Sequence, residues 1–257
     1  MLMFAGNSFA QTLPEAEKKI KEYLDAISYW RFQYSAEDTS FSHKVTNADS
    51  IAFYNEMLRK YLVNTSMSLP AMLTQNIEIP GSNDLIVVTS DDKTVRIFSW
   101  ETHIGNIPHN FASVMAYRQA GKRGSATIFF PSPGKNAAGS FDKILSVQNS
   151  GGKKYYLPVY KKIEPNDKVT KGIIAYDLSG DAKQVNIFPV DGNTPGVIEY
   201  SYDYMSNYDF KKMQEVYNVY VKGKKLYVPA PDKDNQLKGD MKVYNFDGSK
   251  FVYDKTE

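Results

Sequence analysis

The chain has 257 residues, a nearly balanced charge of +2 from 31 basic and 29 acidic residues, and no cysteine. The even charge gives no reason to expect nucleic acid as a partner, and the lack of cysteine excludes a disulfide scaffold. No segment reaches the roughly 20 apolar residues that a membrane-spanning helix needs. A hydrophobic content of 42% is that of a folded domain.

The beginning of the chain looks like the end of a secretory signal. Residues 1–10 form a short apolar run that closes on Ser8, Phe9 and Ala10, and the small residues Ser8 and Ala10 occupy positions −3 and −1 of a typical cleavage site. We therefore interpret residues 1–10 as the remnant of a signal peptide. The expected location is periplasmic or extracellular, and without cysteine the protein would not be a lipoprotein. No Lys or Arg precedes the apolar run, as a complete signal would require.

The remaining residues, 11–257, are interpreted as a single β-rich domain that begins with helices. Residues 12–65 contain two amphipathic stretches, in which apolar residues recur at helical spacing. Thr12 and Glu15 fit a capping box at the start of the first helix. Because both helices are apolar on one side only, we expect both to pack against the rest of the domain.

From residue 80 to residue 257 the hydrophobic period changes from that of a helix to that of a strand. Turn-like clusters recur with centres near residues 92, 122, 151, 180, 223 and 248, and runs rich in Val, Ile, Tyr and Phe flank them. The pattern predicts a mainly β (α+β) fold, an antiparallel meander of about a dozen strands arranged as a barrel, a sandwich or a propeller-like structure. The two N-terminal helices would cover one end or one open edge of it.

Two segments resemble a known group of proteins. Ser90–Trp100 reads SDDKTVRIFSW and is followed by Glu101 and Thr102, and Lys242–Tyr253 reads KVYNFDGSKFVY. The first resembles the SxDGKxRIYSWDT signature of uncharacterised secreted proteins frequent in Bacteroidetes, and the second resembles the closing hairpin of that group. The chain departs from the signature at Asp92 and at Glu101, where the group has Gly and Asp. The resemblance implies export and a β-rich fold, and it implies no activity.

Aromatic side chains are the most plausible binding residues in this sequence. Arg96 and Trp100 lie on the same face of a predicted strand, where they form either a buried pair or a platform for a ligand. Tyr200, Tyr202 and Tyr204 alternate with polar residues and would line one face of another strand. Such a face is either core or an open surface that binds a glycan or a protein partner.

Histidines and carboxylates offer a second set of candidates. His103 and His109 lie close to Glu101 and Asp91 in the sequence, but their spacing matches neither one helical face nor a known zinc pattern. We therefore predict no metal centre and no cofactor, with His103 and His109 as the candidates if a metal is bound. A hydrolase that uses Asp91, Asp92 and Glu101 with one of these histidines is the enzymatic alternative.

The lack of recognisable nucleophiles favours a protein that binds over a protein that catalyses. The chain has no cysteine and no G-x-S-x-G motif, while its aromatic content is 14%. We expect a non-enzymatic exported protein that binds a glycan or a protein partner. A hydrolase and a structural role in the cell envelope stay open as alternatives, and the sequence leaves the ligand and the oligomeric state undetermined.

Overall fold

The computed structural model describes most of the chain and places helices before strands. The described residues are 11–32, 46–81, 84–104, 110–119, 125–130, 139–164, 168–189, 196–203 and 218–257. Within them, antiparallel strands follow two long helices and one short helix. The predicted mainly β fold with two N-terminal helices is therefore confirmed. The helices are α1 (Leu13–Arg31), α2 (Asn47–Ser68) and α3 (Ala71–Thr74).

The strands form three antiparallel sheets, so the predicted meander is divided rather than continuous. They are β1 (Leu85–Thr89), β2 (Val95–Glu101), β3 (Phe111–Arg118), β4 (Ser125–Phe130), β5 (Ser140–Gln148), β6 (Lys154–Ile163), β7 (Lys168–Ile174), β8 (Tyr176–Asp177), β9 (Lys183–Gln184), β10 (Val197–Asp203), β11 (Tyr220–Lys222), β12 (Lys225–Pro229), β13 (Met241–Phe246) and β14 (Phe251–Thr256). The first sheet has the order β1-β2-β3-β4 and the third the order β11-β12-β13-β14. The second has the order β10-β7-β6-β8-β9, with β5 also paired to β6.

Capping boxes fix the starts of both long helices. At the start of α1, the Thr12 amide donates to the Glu15 carboxylate at 2.8 Å, as the sequence predicts. At the start of α2, the Thr46 amide donates to Asp49 at 3.0 Å, and the Asp49 amide donates back to the Thr46 hydroxyl at 3.2 Å. These side chains satisfy backbone amides that have no partner within the helix.

The first hairpin has a regular register that is set by its turn. Leu85 pairs with Trp100 and Thr89 pairs with Arg96, with no irregularity between them. The turn that joins β1 to β2 contains Asp92, whose carboxylate accepts a hydrogen bond from the Thr94 amide at 3.1 Å. This is the local aspartate bond expected from the sequence, and it leaves β1 and β2 in fixed alignment.

Strand β2 is buried on both of its faces. Phe98 and Trp100 pack with the helices in one core, whereas Ile97 packs with Phe141 of the second sheet in another. Each of these side chains is at most 1% exposed. A strand enclosed on both sides gives its ends little freedom, so the groups at each end are held in place.

The long helices run antiparallel to each other across the first sheet. At one end of β2, the Arg96 guanidinium donates to the carbonyl oxygens of Met72 and Gln75, which follow the end of α2. The Glu78 amide, nearby in the sequence, donates to Glu17 in the first half of α1. At the other end of β2, Asn55 in the first half of α2 donates to the Thr102 carbonyl oxygen at 2.8 Å. The start of α2 and the end of α1 therefore lie at the Glu101 end of the sheet.

The second and third sheets share one core. It contains Leu157 and Ile173 from the second sheet and Leu226 and Tyr244 from the third, each at most 1% exposed. Burial of such side chains stabilises the fold by about 1.5 to 3 kcal/mol each relative to leaving them exposed.

Candidate metal-binding site

Arg96 and Trp100 belong to the interior and do not form an exposed ligand platform. Arg96 is 5% exposed, and its Nε donates to the Thr89 hydroxyl at 2.7 Å in addition to its bonds with the two carbonyl oxygens after α2. Trp100 is 1% exposed, and its Nε1 donates to Asn55 at 2.8 Å. Both side chains therefore hold the helices on the first sheet, and of the two arrangements that the sequence allows for them, buried or open to a ligand, the structure has the buried one.

The tyrosines of β10 are also core residues. Tyr200 and Tyr202 do share one face, as predicted, and their rings stack with centroids 6.3 Å apart. They are 7% and 4% exposed, and burial raises the pKa of the Tyr200 hydroxyl. Tyr204 lies outside the described residues. The face that was expected to be core or ligand surface is therefore core as far as it is described, and it presents no open groove for a glycan.

The carboxylates of the hydrolase hypothesis do not gather in one place. Asp91 lies beside a cleft of about 380 Å³ between β1 and β5, and Asp92 lies in the same turn. Glu101 lies at the far end of β2, six residues beyond Val95, which corresponds to about 20 Å along an extended strand. Asp91 and Asp92 therefore cannot act together with Glu101, and His109 lies outside the described residues.

A different aspartate meets Glu101 at the open end of the hairpin. One ring nitrogen of His103 and one carboxylate oxygen each from Asp84 and Glu101 lie within 4.8 Å of one another. His103 Nδ1 is 3.5 Å from Glu101 Oε1. Within the described residues, this is the one cluster of three side chains that offers such a set of metal ligands.

Backbone pairing explains why these three side chains meet. The Glu101 amide donates to the Asp84 carbonyl oxygen at 3.1 Å, which continues the β1–β2 ladder by one step. Next along the chain, the Thr102 amide donates to the Asn110 carbonyl oxygen at 2.7 Å. This bond closes the loop that carries His103 and fixes the position where that loop leaves β2.

Asn55 of α2 ties the site to the helical layer. Its side-chain amide donates to the carbonyl oxygens of Ile51 and Thr102, both at 2.8 Å, and its oxygen accepts the Trp100 indole N–H. The whole group is buried, Asn55 being 6% exposed. A buried amide with all of these bonds is rigid, so it fixes the position of the backbone that precedes His103.

His103 is buried in an unusual state. Its side chain is 4% exposed, and its Nε2 has no hydrogen-bond partner in the part of the chain that the structure describes. Its φ angle is +53°, in the left-handed region that non-glycine residues seldom adopt. Buried imidazole nitrogens are normally hydrogen-bonded, and strained backbone is concentrated at functional sites. Both features mark His103 as a functional candidate.

The electrostatic surroundings favour a neutral imidazole. Burial lowers the pKa of His103 below its usual value, and the positive charge of Arg31 lowers it further, while the charges of Glu101 and Asp84 act in the opposite direction. The net effect is a lowered pKa. A neutral ring next to two carboxylates is the protonation state that metal coordination requires.

The donor set and its spacing match a small divalent cation. Histidine nitrogen and carboxylate oxygen bind Zn²⁺ at about 2.0–2.2 Å, which places neighbouring ligand atoms of a tetrahedral site about 3.4 Å apart. The 3.5 Å between His103 Nδ1 and Glu101 Oε1 agrees with that separation, and all three ligand atoms lie within 4.8 Å of one another. Three protein ligands leave a fourth position for water or another ligand.

Sequence reasoning named Glu101 and His103 but missed Asp84. The signal was available in the hairpin, because paired residues in β1 and β2 have numbers that sum to a constant. That register places residue 84 opposite residue 101. Asp91 was named instead because it is also near Glu101 in the sequence, although strand β2 lies between them and places Asp91 at the opposite end of the hairpin.

The comparisons with known proteins give this site no precedent. Family models, curated proteins and solved structures yield no match to this chain. The described helices include none that is long and apolar enough to cross a membrane.

Proposed function

We propose that this protein binds a divalent cation of the zinc class through Asp84, Glu101 and His103. The observation that carries the proposal is the convergence of a 4% exposed imidazole, whose Nδ1 lies 3.5 Å from Glu101 Oε1, on the carboxylates of Asp84 and Glu101. Its periplasmic or extracellular location stays a prediction from the sequence. The proposal replaces the glycan-binding interpretation, because the described side chains on which that interpretation depended are buried.

The mixed donor set predicts metal selectivity. Imidazole and carboxylate together suit Zn²⁺ and its first-row neighbours, whereas Mg²⁺ and Ca²⁺ prefer all-oxygen sites with more ligands. We therefore expect Zn²⁺ to bind far more tightly than Mg²⁺ or Ca²⁺.

Calorimetric titration of Zn²⁺ into untagged, EDTA-stripped protein tests this proposal. We expect one Zn²⁺ per chain in the wild type. His103→Asn removes the imidazole, while asparagine tolerates the left-handed backbone. Affinity is expected to fall at least about 100-fold, since loss of a ligand exceeds the 10- to 100-fold effect of its supporting partners.

Asp92→Asn is the matched control, because it changes a carboxylate at the other end of the same hairpin. Its Zn²⁺ affinity should equal that of the wild type. Circular dichroism establishes that each variant is folded. Wild-type protein that binds no Zn²⁺, or His103→Asn protein that binds it as tightly as the wild type, would refute the proposal.

A metal-dependent hydrolase is a second candidate function. Three protein ligands leave one coordination position, and a water bound there has a pKa near 7 in known zinc enzymes. The zinc-loaded protein should then cleave an activated ester such as p-nitrophenyl acetate faster than the EDTA-stripped protein. Equal rates for the two forms would leave a binding protein as the only supported function.

A further inference from the structure

Helix α2 contacts the backbone of the proposed metal site through the side chain of Asn55. The Nδ2 of Asn55 donates to the carbonyl oxygen of Thr102 at 2.8 Å, and Thr102 lies between Glu101 and His103 in the sequence. This bond joins residues that are 47 apart in the chain, so it forms only when α2 is docked on the sheet. The position of the backbone between two of the proposed ligands therefore depends on the position of α2.

The other bonds of Asn55 make this dependence strong. Its Nδ2 also donates to the carbonyl oxygen of Ile51 in α2, and its Oδ1 accepts from the Trp100 indole, both at 2.8 Å. These bonds occupy both N–H groups and the oxygen of the amide. Trp100 and Thr102 are the two chain neighbours of Glu101. A shift of α2 against β2 must therefore break or distort a bond to one of these neighbours.

The backbone on the far side of His103 is anchored as well. The buried Thr102 hydroxyl donates to the Asn110 carbonyl oxygen at 3.0 Å, and the Asn110 side chain donates to the Ile104 carbonyl oxygen at 2.8 Å. Both neighbours of His103 are thus hydrogen-bonded. A displacement of Thr102 is therefore passed on to the imidazole and changes its position relative to Glu101.

Metal coordination is sensitive to such displacements. Zn²⁺ binds nitrogen and oxygen ligands at about 2.0–2.2 Å, with a tolerance of about 0.2 Å. The ligand atoms of Asp84, Glu101 and His103 lie within 4.8 Å of one another when Asn55 makes its bonds. A shift of a few tenths of an ångström at Thr102 is large enough to weaken binding.

We infer that Asn55 is a positioning residue that couples the metal site to helix α2. Docking of α2 tightens metal binding, and metal binding strengthens the docking of α2 by the same factor, because coupling between two equilibria is reciprocal. This inference rests on the proposed metal binding and adds to it how the helical layer controls the site. A change that loosens α2 is expected to release the metal.

Titration of Zn²⁺ and Co²⁺ into Asn55→Ala protein tests the coupling. The affinity for each metal should fall about tenfold, at the lower end of the 10- to 100-fold effect of supporting groups, because Asn55 bonds to the backbone between ligands and not to a ligand. The visible absorption of bound Co²⁺ should also change, since it reports the arrangement of the ligands. A purely structural role would lower the stability of the protein and leave both measurements unchanged.

Two further variants separate the contact with Thr102 from a general loss of stability. Asn55→Ser keeps a hydroxyl that can donate to the Ile51 carbonyl group but is too short to reach Thr102, so it should stay folded and lose the same metal affinity as Asn55→Ala. Leu62→Ala leaves a cavity in the core beneath α2, seven residues beyond Asn55. It should be less stable than the wild type but bind Co²⁺ with the same affinity and spectrum.

Hydrogen exchange of the wild-type protein tests the reciprocal effect without a substitution. Zn²⁺ should slow amide exchange in the first half of α2 more than in β12 and β13 of the third sheet. The reason is that Asn55 joins α2, and not the third sheet, to the metal site. Equal slowing in the two regions would contradict the coupling.

The outcomes distinguish this inference from the proposed function. If the wild type binds Zn²⁺ but both Asn55 variants bind it as tightly, or if Leu62→Ala loses as much affinity as they do, the coupling through Asn55 is wrong while metal binding stands. If the wild type binds neither Zn²⁺ nor Co²⁺, the metal proposal fails and the inference fails with it.

Discussion

The two ends of the β1–β2 hairpin place acidic side chains in opposite circumstances. At the turn, Asp92 accepts hydrogen bonds from Ser90, Thr94, Lys154 and Tyr156, at 2.6 to 3.1 Å. At the open end, Asp84 and Glu101 face the buried ring of His103. The same pair of strands thus carries one carboxylate with four donors and two carboxylates next to a histidine whose Nε2 has no partner among the residues that the structure describes.

The acidic side chains at the two ends of the hairpin differ in how much they stabilise the fold. Burial alone raises the pKa of Asp92, but the bonds from Lys154, Ser90 and Tyr156 outweigh burial and hold that pKa well below its ordinary value. Such a carboxylate is a fixed anion that joins the first sheet to the second. The cluster at the open end leaves the Nε2 of His103 without a partner in the described part of the chain and its backbone in a strained conformation, so it stabilises the fold less.

The largest expected loss of stability comes from removing the Asn55 side chain, which supports the backbone at the open end of the hairpin. Asn55→Ala removes the partner of the Trp100 indole and the Thr102 carbonyl group, and leaves both buried. Unfolding in urea should show a loss of about 2–4 kcal/mol, because each unsatisfied buried group costs about 1–3 kcal/mol. Asn64→Ala, at an exposed position of the same helix, is the control and should change stability by less than about 0.5 kcal/mol. A similar small change for Asn55→Ala would contradict the supporting role.

A somewhat smaller loss is expected at the turn. Asp92→Asn cannot accept from Lys154 and Tyr156 as a charged group, and we expect a loss of about 1.5–3 kcal/mol. Asp91→Asn changes the exposed neighbour and should be near neutral. Equal unfolding free energies for Asp92→Asn and Asp91→Asn would remove the contrast between the two ends of the hairpin.

The pH dependence of stability sharpens the same contrast. Because the folded state lowers the pKa of Asp92 below its ordinary 3.8, this group stabilises the fold fully above about pH 5, and the contribution is lost as pH falls through the folded value. The stability gap between wild type and Asp92→Asn should therefore shrink as acid is added. Burial raises the pKa of Asp177, but bonds from Lys153 and Ser179 outweigh burial and lower that pKa to about 2. Because Asp177 is present in both proteins, its contribution to the stability gap cancels. A gap that is constant from pH 6 to pH 2 would contradict the assignment.

The smallest effect is expected for a single donor to Asp92. Lys154 is partly exposed, with 33% of its side chain accessible, and its Nζ lies 2.6 Å from Asp92. Lys154→Gln should cost about 0.5–1 kcal/mol, as for a partly exposed ion pair. In a double-mutant cycle, this loss should vanish in the Asp92→Asn background. An undiminished loss there would mean that Lys154 acts through another partner.

Local patterns were sufficient to predict several features of this fold. The capping box at Thr12, the apolar stripe of α1 and the alternation of Tyr200 with Tyr202 each depend on neighbours in sequence, and each prediction agrees with the structure. The division into three sheets was not predicted, because it depends on which strands stop pairing. Nor does alternation tell whether an aromatic face is covered, which is why the tyrosines were open to both interpretations.

At the candidate site, too, local sequence patterns predicted only what depends on neighbours in the chain. Glu101 and His103 were named from sequence proximity, and proximity survives folding when residues are two apart. Asp84 was missed because its approach to Glu101 needs the register of the hairpin. The burial of His103 depends on tertiary packing, and only the folded structure shows that its Nε2 has no partner among the described residues.

A crystal structure of the untagged protein soaked with Zn²⁺, with anomalous data collected at the zinc edge, tests the central claim most directly. The account predicts one strong anomalous peak about 2.0–2.2 Å from a His103 ring nitrogen and from carboxylate oxygens of Asp84 and Glu101. A peak bound to other side chains, or no peak beside His103 at saturating Zn²⁺, would contradict it.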